Sequence, residues 1–65
     1  MDEQLNKFVV EYHTKPSPAL SYYEGHITVY AEDYEQAEEQ ARRELIRKSP
    51  EYRNSIVIVQ ATLKT

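Results

Sequence analysis

The sequence has no cysteine, no tryptophan and a single glycine among its 65 residues. Without cysteine there are no disulfides, thiolate nucleophiles or cysteine-based zinc sites, and a reducing compartment, the cytoplasm, is the expected location. One glycine is too few for a phosphate-cradling loop, and Ser17, Ser21, Ser49 and Ser55 stand in no G-x-S-x-G turn. The only imidazoles, His13 and His26, could approach each other on paired strands but come without an assigned third ligand. No catalytic residue, metal site or cofactor is therefore assigned, and the expectation is a non-enzymatic protein. Long apolar runs are missing as well. The longest, Ile56 to Val59, is too short to span a bilayer or to form a signal-peptide core, so a soluble, unprocessed chain without membrane contact is expected.

What is present fits one small domain over residues 1–65, 7.7 kDa in mass. A chain this short buries only about 60% of its unfolded surface, so it relies on a well-packed core or on a partner subunit. The polar stretch MDEQLN, residues 1–6, reads as a flexible N-terminus. Phe8 to Thr14 is β-prone, with Phe8, Val10 and Tyr12 on one face and Val9, Glu11 and His13 on the other. Pro16 and Pro18 break the ladder and predict a loop longer than a tight hairpin.

Alternation resumes from Tyr22 to Ala31, with a kink expected at Gly25. Tyr22, Glu24, His26, Thr28 and Tyr30 share one face of this second strand. The period then changes. Asp33 followed by Gln36 fits a capping box, and Tyr34 to Lys48 lacks Gly, Pro, Val and Thr, which predicts a helix of about four turns. Tyr34, Ala37, Ala41 and Leu45 form its thin apolar stripe. Pro50 stops the helix, a polar connection follows, and Ser55 to Leu63 predicts a third strand.

The expected fold is therefore α+β, in the order β-β-α-β, with a three-stranded antiparallel sheet of order 2-1-3 and one helix on one face. Such a layer leaves its other face bare. Ile56, Val57, Ile58 and Val59 are apolar on both sides of an edge strand, an aggregation hazard unless covered. Ile56 and Ile58 are accordingly assigned to a partner-binding edge, where a homodimer through the third strand or a strand-adding protein would dock.

Charge is unevenly distributed: residues 1–23 carry −1, residues 24–39 carry −6 and residues 40–65 carry +4. Asp33 and Glu35 suit the helix start, and Arg42, Arg43, Arg47 and Lys48 suit its end. Glu38/Arg42 and Glu39/Arg43 are spaced for i, i+4 pairs worth about 0.2–0.5 kcal/mol each. Glu24 and Glu32 lie outside the helix and extend a negative field able to steer a basic partner. The pI near 5.3 opposes phosphate-backbone binding, which disfavours nucleic acid, including a single strand held by Tyr22 and Tyr30 with Arg42, Arg43 and Arg47. Six tyrosines exceed what so small a core hides, so Tyr22 and Tyr30 join Glu24 as interface candidates.

The segment ITVYAEDYEQAEEQA, Ile27 to Ala41, with FVVEY upstream and a β-run downstream, resembles the small host RNA polymerase inhibitors of T-seven-like podophages of coliform bacteria. The likeness rests on Tyr30-Ala31-Glu32 ending a strand and on the spacing of Ala37 and Ala41. It implies a non-catalytic phage protein that docks on the RNA polymerase of a bacterial host in the host cytoplasm and blocks transcription. The acidic positions it matches are Glu32, Glu35 and Glu39. The family's basic residues on the last strand are not matched, since Ile58, Val59, Gln60 and Ala61 stand there, and Gln36 and Arg42 replace acids on the helix. A phage inhibitor of another host target, a defence or nuclease complex, and a self-associating structural domain are the alternative expectations.

Overall fold

A computed structural model describes residues 5–18 and 20–64. The chain folds as β1 (Asn6–Thr14), β2 (Glu24–Ala31), α1 (Tyr34–Lys48), a short 3₁₀ turn (Pro50–Tyr52) and β3 (Ile56–Lys64). The sheet is antiparallel throughout, in the order β2-β1-β3, with the helix on one face, which is the α+β arrangement that the strand and helix patterns predict.

Several boundaries differ from the sequence expectation. β1 begins at Asn6, inside the stretch expected to be flexible, because Asn6 and Lys7 pair with Ala31 and Tyr30 of β2; residues 1–4 of that stretch lie outside the described residues. β2 begins at Glu24 instead of Tyr22, and the third strand is shifted by one residue to Ile56–Lys64. The polar connection after the helix includes the 3₁₀ turn.

The core follows from the faces. Phe8 and Val10 of the central strand are buried with Val29 and Ala31 against the helix, and Tyr12, Thr14 and Ile56 are buried further along the sheet. Phe8 and Val10 are almost wholly removed from water, each contributing about 1.5–3 kcal/mol of apolar burial. Ala37 and Ala41 of α1 are fully buried, and their small side chains let the helix axis settle close to the sheet. Tyr34 completes the stripe from its edge, half exposed with its ring edge-on to Phe8 at 5.0 Å.

The helix ends are fixed by the chemistry read from the sequence. Asp33 accepts a hydrogen bond from the Gln36 backbone N–H at 2.8 Å. The Gln36 side chain reaches back one residue further than a capping box requires, accepting from the Glu32 N–H at 3.2 Å. At the other end Ser49 donates its N–H to the Leu45 carbonyl at 2.9 Å before Pro50 starts the 3₁₀ turn.

One irregularity rearranges β3. Glu11 faces Gln60 but Tyr12 faces Ile58, so Val59 is an extra residue, a β-bulge, in the edge strand. Strict alternation would send Gln60 toward the helix and Ala61 outward. The bulge inverts this: Ala61 packs against the core and Gln60 joins the open face, opposite Glu11.

Candidate protein-binding surface

Register places the open face of the sheet in four cross-strand rows: Tyr30–Lys7–Lys64, Thr28–Val9–Thr62, His26–Glu11–Gln60 and Glu24–His13–Val57. Tyr22 lies just beyond the last row, its ring 5.8 Å from that of His13 and its hydroxyl donating to Glu24 at 3.2 Å. Lost hydration, and then this bond to Glu24, hold the Tyr22 hydroxyl above its ordinary pKa. Gln60 donates to Glu11 at 3.4 Å. The face is thus polar, with Val9 and Val57 half-buried within it.

The residues assigned to partner binding separate into three places. Tyr22, Glu24 and Tyr30 belong to the open face, Tyr22 and Tyr30 both more than half exposed. Glu32, Glu35 and Glu39 are exposed at the corner where β2 passes into α1. Glu24 is at the opposite end of β2 from Glu32, about 27 Å away along an extended strand, so it extends no continuous field from that corner. Ile56 and Ile58 point inward: Ile56 is 6% exposed and Ile58 packs against the core. Their assignment to an exposed apolar edge is corrected accordingly. The surface members of the run are half-buried Val57 and exposed Val59.

The charge pattern of the helix is partly consumed by the fold. Arg43 pairs with Glu39 at 3.0 Å, as its spacing predicts. Arg47 binds Glu44 through both its Nε and Nη2, which pulls the Glu44 carboxyl below its ordinary pKa. Arg42 does not take up Glu38; its Nη1 donates to the Ile56 carbonyl at 2.9 Å and ties α1 to the start of β3. Among the described residues no cation lies within ion-pair distance of Glu32 or Glu35.

Two features were not legible beforehand. Thr14 is 3% exposed and anchors the 15–23 loop: its Oγ1 accepts from the Tyr23 N–H at 2.8 Å and faces the Ser21 and Tyr23 carbonyls at 3.2 and 3.3 Å. A cleft of about 440 Å³ opens between the C-terminal end of α1 and β2, lined among others by Tyr12, Tyr23, Ile27, Leu45, Lys48 and Tyr52. Burial, then the neighbouring Tyr23, push the Tyr12 hydroxyl above its ordinary pKa. Gly25 faces Tyr12 across the ladder, and a Cβ there would come within 3.3 Å of the Tyr12 hydroxyl. No non-glycine residue among those described has positive φ, and Gly25 does not either, so what this glycine supplies against Tyr12 is room.

Among the described residues no three His, Asp or Glu side chains gather closely enough to hold a metal ion; His13 and His26 stand diagonally in adjacent rows of the open face, facing Glu24 and Glu11 across β1 and β2. No helix described is long and apolar enough to cross a membrane. Compared with protein-family models, with curated proteins and with solved structures, the chain matches none of them.

Proposed function

We propose that this chain is a non-catalytic protein-binding module that docks on a bacterial host complex, RNA polymerase first, and inhibits transcription in the host cytoplasm. The observation that supports this reading is the acidic corner formed by Glu32, Glu35 and Glu39, exposed at the helix start. Helical spacing turns Glu35 and Glu39 the same way, and Glu32 and Glu35 have no cation from the described residues beside them. Carboxylates left exposed in this way are available to steer and register a basic patch on a partner. The likeness of Ile27–Ala41 to the phage inhibitors assigns the same three positions to the polymerase contact.

The test is direct titration of fluorescently labelled protein with purified bacterial RNA polymerase, read by anisotropy, alongside promoter-dependent transcription. The wild type is expected to bind in a salt-sensitive manner and to reduce transcript yield. The variant E32K/E35K/E39K, with its fold verified by circular dichroism, is expected to bind at least about tenfold more weakly, each tenfold being about 1.4 kcal/mol. Wild-type protein that leaves polymerase unbound refutes the target, and undiminished binding by the triple variant refutes the corner.

A further inference from the structure

The alanines that draw α1 onto the sheet do not continue to its end. Ala37 and Ala41 are fully buried, whereas Leu45, next along the same stripe, is only half-buried. Between this end of the helix and β2 lies the cleft of about 440 Å³, which is within the range of roughly 300–1,000 Å³ typical of small-molecule sites. Three tyrosine rings, Tyr12, Tyr23 and Tyr52, line it together with Ile27 and Leu45. The rings of Tyr12 and Tyr23 are set at 43° to each other with centroids 6.2 Å apart.

The polar members of the lining specify the charge of what fits there. The chain carries 11 acidic residues against 8 basic ones, yet no acid lines the cleft, and its one fully charged member is Lys48. Among the described residues no carboxylate lies within ion-pair distance of Lys48, and Glu44, one turn back, is taken by Arg47. A spare hydrogen-bond donor is present as well. Tyr12 is 9% exposed, and its hydroxyl reaches over Gly25 with Tyr23 as its polar neighbour. Two phenols use one proton between them and leave the other to donate elsewhere. The Tyr22 and Tyr52 hydroxyls donate to Glu24 and to the Ser21 carbonyl, but among the described residues neither Tyr12 nor Tyr23 has a carboxylate or carbonyl to donate to. A buried phenol ordinarily finds such an acceptor.

We propose that this cleft binds a small aromatic carboxylate, its ring against the tyrosines and its carboxylate toward Lys48 and the spare phenolic proton. The flat faces of the tyrosines favour a planar ligand over a flexible chain. The four-carbon stem of Lys48 lets its ammonium follow the carboxylate, and one cation matches one negative charge. Because the cleft is open to solvent, the expected Kd is on the order of hundreds of micromolar. The site is at the opposite end of α1 from the acidic corner and stands whether or not that corner docks on polymerase.

The test is titration of the intact, isotope-labelled chain with 2-naphthoate, followed by amide NMR. Saturable shifts are expected at Tyr23, Gly25, Leu45 and Ser49. The uncharged analogue 2-naphthamide is expected to bind at least tenfold more weakly, and so is octanoate, which has the carboxylate without the ring. K48M, at an exposed helix position, is expected to bind the naphthoate and the naphthamide alike. Y12F/Y23F keeps both rings and removes the donor, and is expected to weaken naphthoate by about two- to tenfold; if circular dichroism shows it unfolded, K48M alone decides. No saturable shift up to about 5 mM naphthoate overturns the inference, as do shifts centred on another surface. Wild-type protein that binds the naphthamide or octanoate as tightly as the naphthoate overturns it too, and so does K48M with its preference for the acid intact.

Discussion

Replacing Thr14 with valine keeps the shape of the side chain and removes one oxygen, so it isolates the anchoring of the 15–23 loop. In the native molecule that oxygen takes the Tyr23 N–H at 2.8 Å and can donate to the Ser21 carbonyl at 3.2 Å or the Tyr23 carbonyl at 3.3 Å. The backbone bond from the Thr14 N–H to the Tyr23 carbonyl, 2.8 Å, is untouched by the change. Losing a hydrogen bond of ordinary strength costs about 0.5–1.5 kcal/mol, and leaving a part-buried N–H without a partner adds about 1–3 kcal/mol, less whatever water can reach it. With Thr14 at 3% exposure, little water enters on its side, and a loss of about 2 kcal/mol is expected for Thr14→Val. The core of a domain this small supplies only about 3–5 kcal/mol, so the effect is a large part of the total. Thr14→Ser keeps the oxygen and gives up one methyl group, worth about 0.8 kcal/mol. Urea denaturation followed by circular dichroism should therefore rank wild type above Ser above Val, and hydrogen exchange at the Tyr23 amide should accelerate selectively in Val. Should Val lie within about 0.5 kcal/mol of wild type, the scatter of an indifferent surface site, the anchoring role is refuted.

Gly25→Ala should change stability by less than about 1 kcal/mol, since the added carbon meets the outer end of Tyr12 at 3.3 Å while the strand loses a flexible glycine; Gly25→Val, which cannot be absorbed so easily, should cost about 1–3 kcal/mol by thermal denaturation. Arg42→Met should cost about 1 kcal/mol and speed amide exchange at the start of β3, because the 2.9 Å bond to the Ile56 carbonyl is lost while the aliphatic stem is kept. Proton titration offers two opposite signs. Glu44 titrates below its ordinary 4.5 because of the Arg47 hydrogen bond, so its contribution is present above 4.5 and lost as pH falls through the folded value; carboxyl NMR should show the low midpoint and its return upward in Arg47→Ala. Tyr12 titrates above its ordinary 10.0 through burial and then Tyr23, so its contribution is present below 10.0 and lost as pH rises through the folded value, which ultraviolet titration of Tyr12→Phe against wild type should resolve.

The layer order was legible because each break in period coincided with a residue that enforces it. Asp33 and Pro50 bracket the helix at Tyr34–Lys48, and the alternation of Phe8, Val10 and Tyr12 assigns the core face of β1. The third strand was harder to read. With Ile56, Val57, Ile58 and Val59 all apolar, alternation cannot say which members face in, and only pairing against β1 reveals that Val59 is the extra residue. Thr14 stands at a strand end with no local signal of its role, because its partners lie on a loop returning nine residues later. Arg42 had one partner at sequence level, Glu38 by helical spacing, and the Ile56 carbonyl that it binds instead comes from tertiary approach, which no local rule reveals. Glu32 and Glu35 flank the junction of β2 and α1 and Glu39 follows one helical turn on, whereas Glu24 was grouped with them by sequence proximity to the same charge run and is separated from them by the length of a strand.

Val59 is the one position of β3 that the ladder could do without. Taking it out would join Ile58 to Gln60 with every remaining side chain still facing as it does now, and the strand would run straight. What the insertion contributes is an uneven rim: at Val59 the outer amides fall out of step, so a like-minded strand from another molecule cannot zip along the full length of Ile56–Lys64. A chain shortened by that single residue should keep its architecture and form fibrous precipitate more readily than the parent.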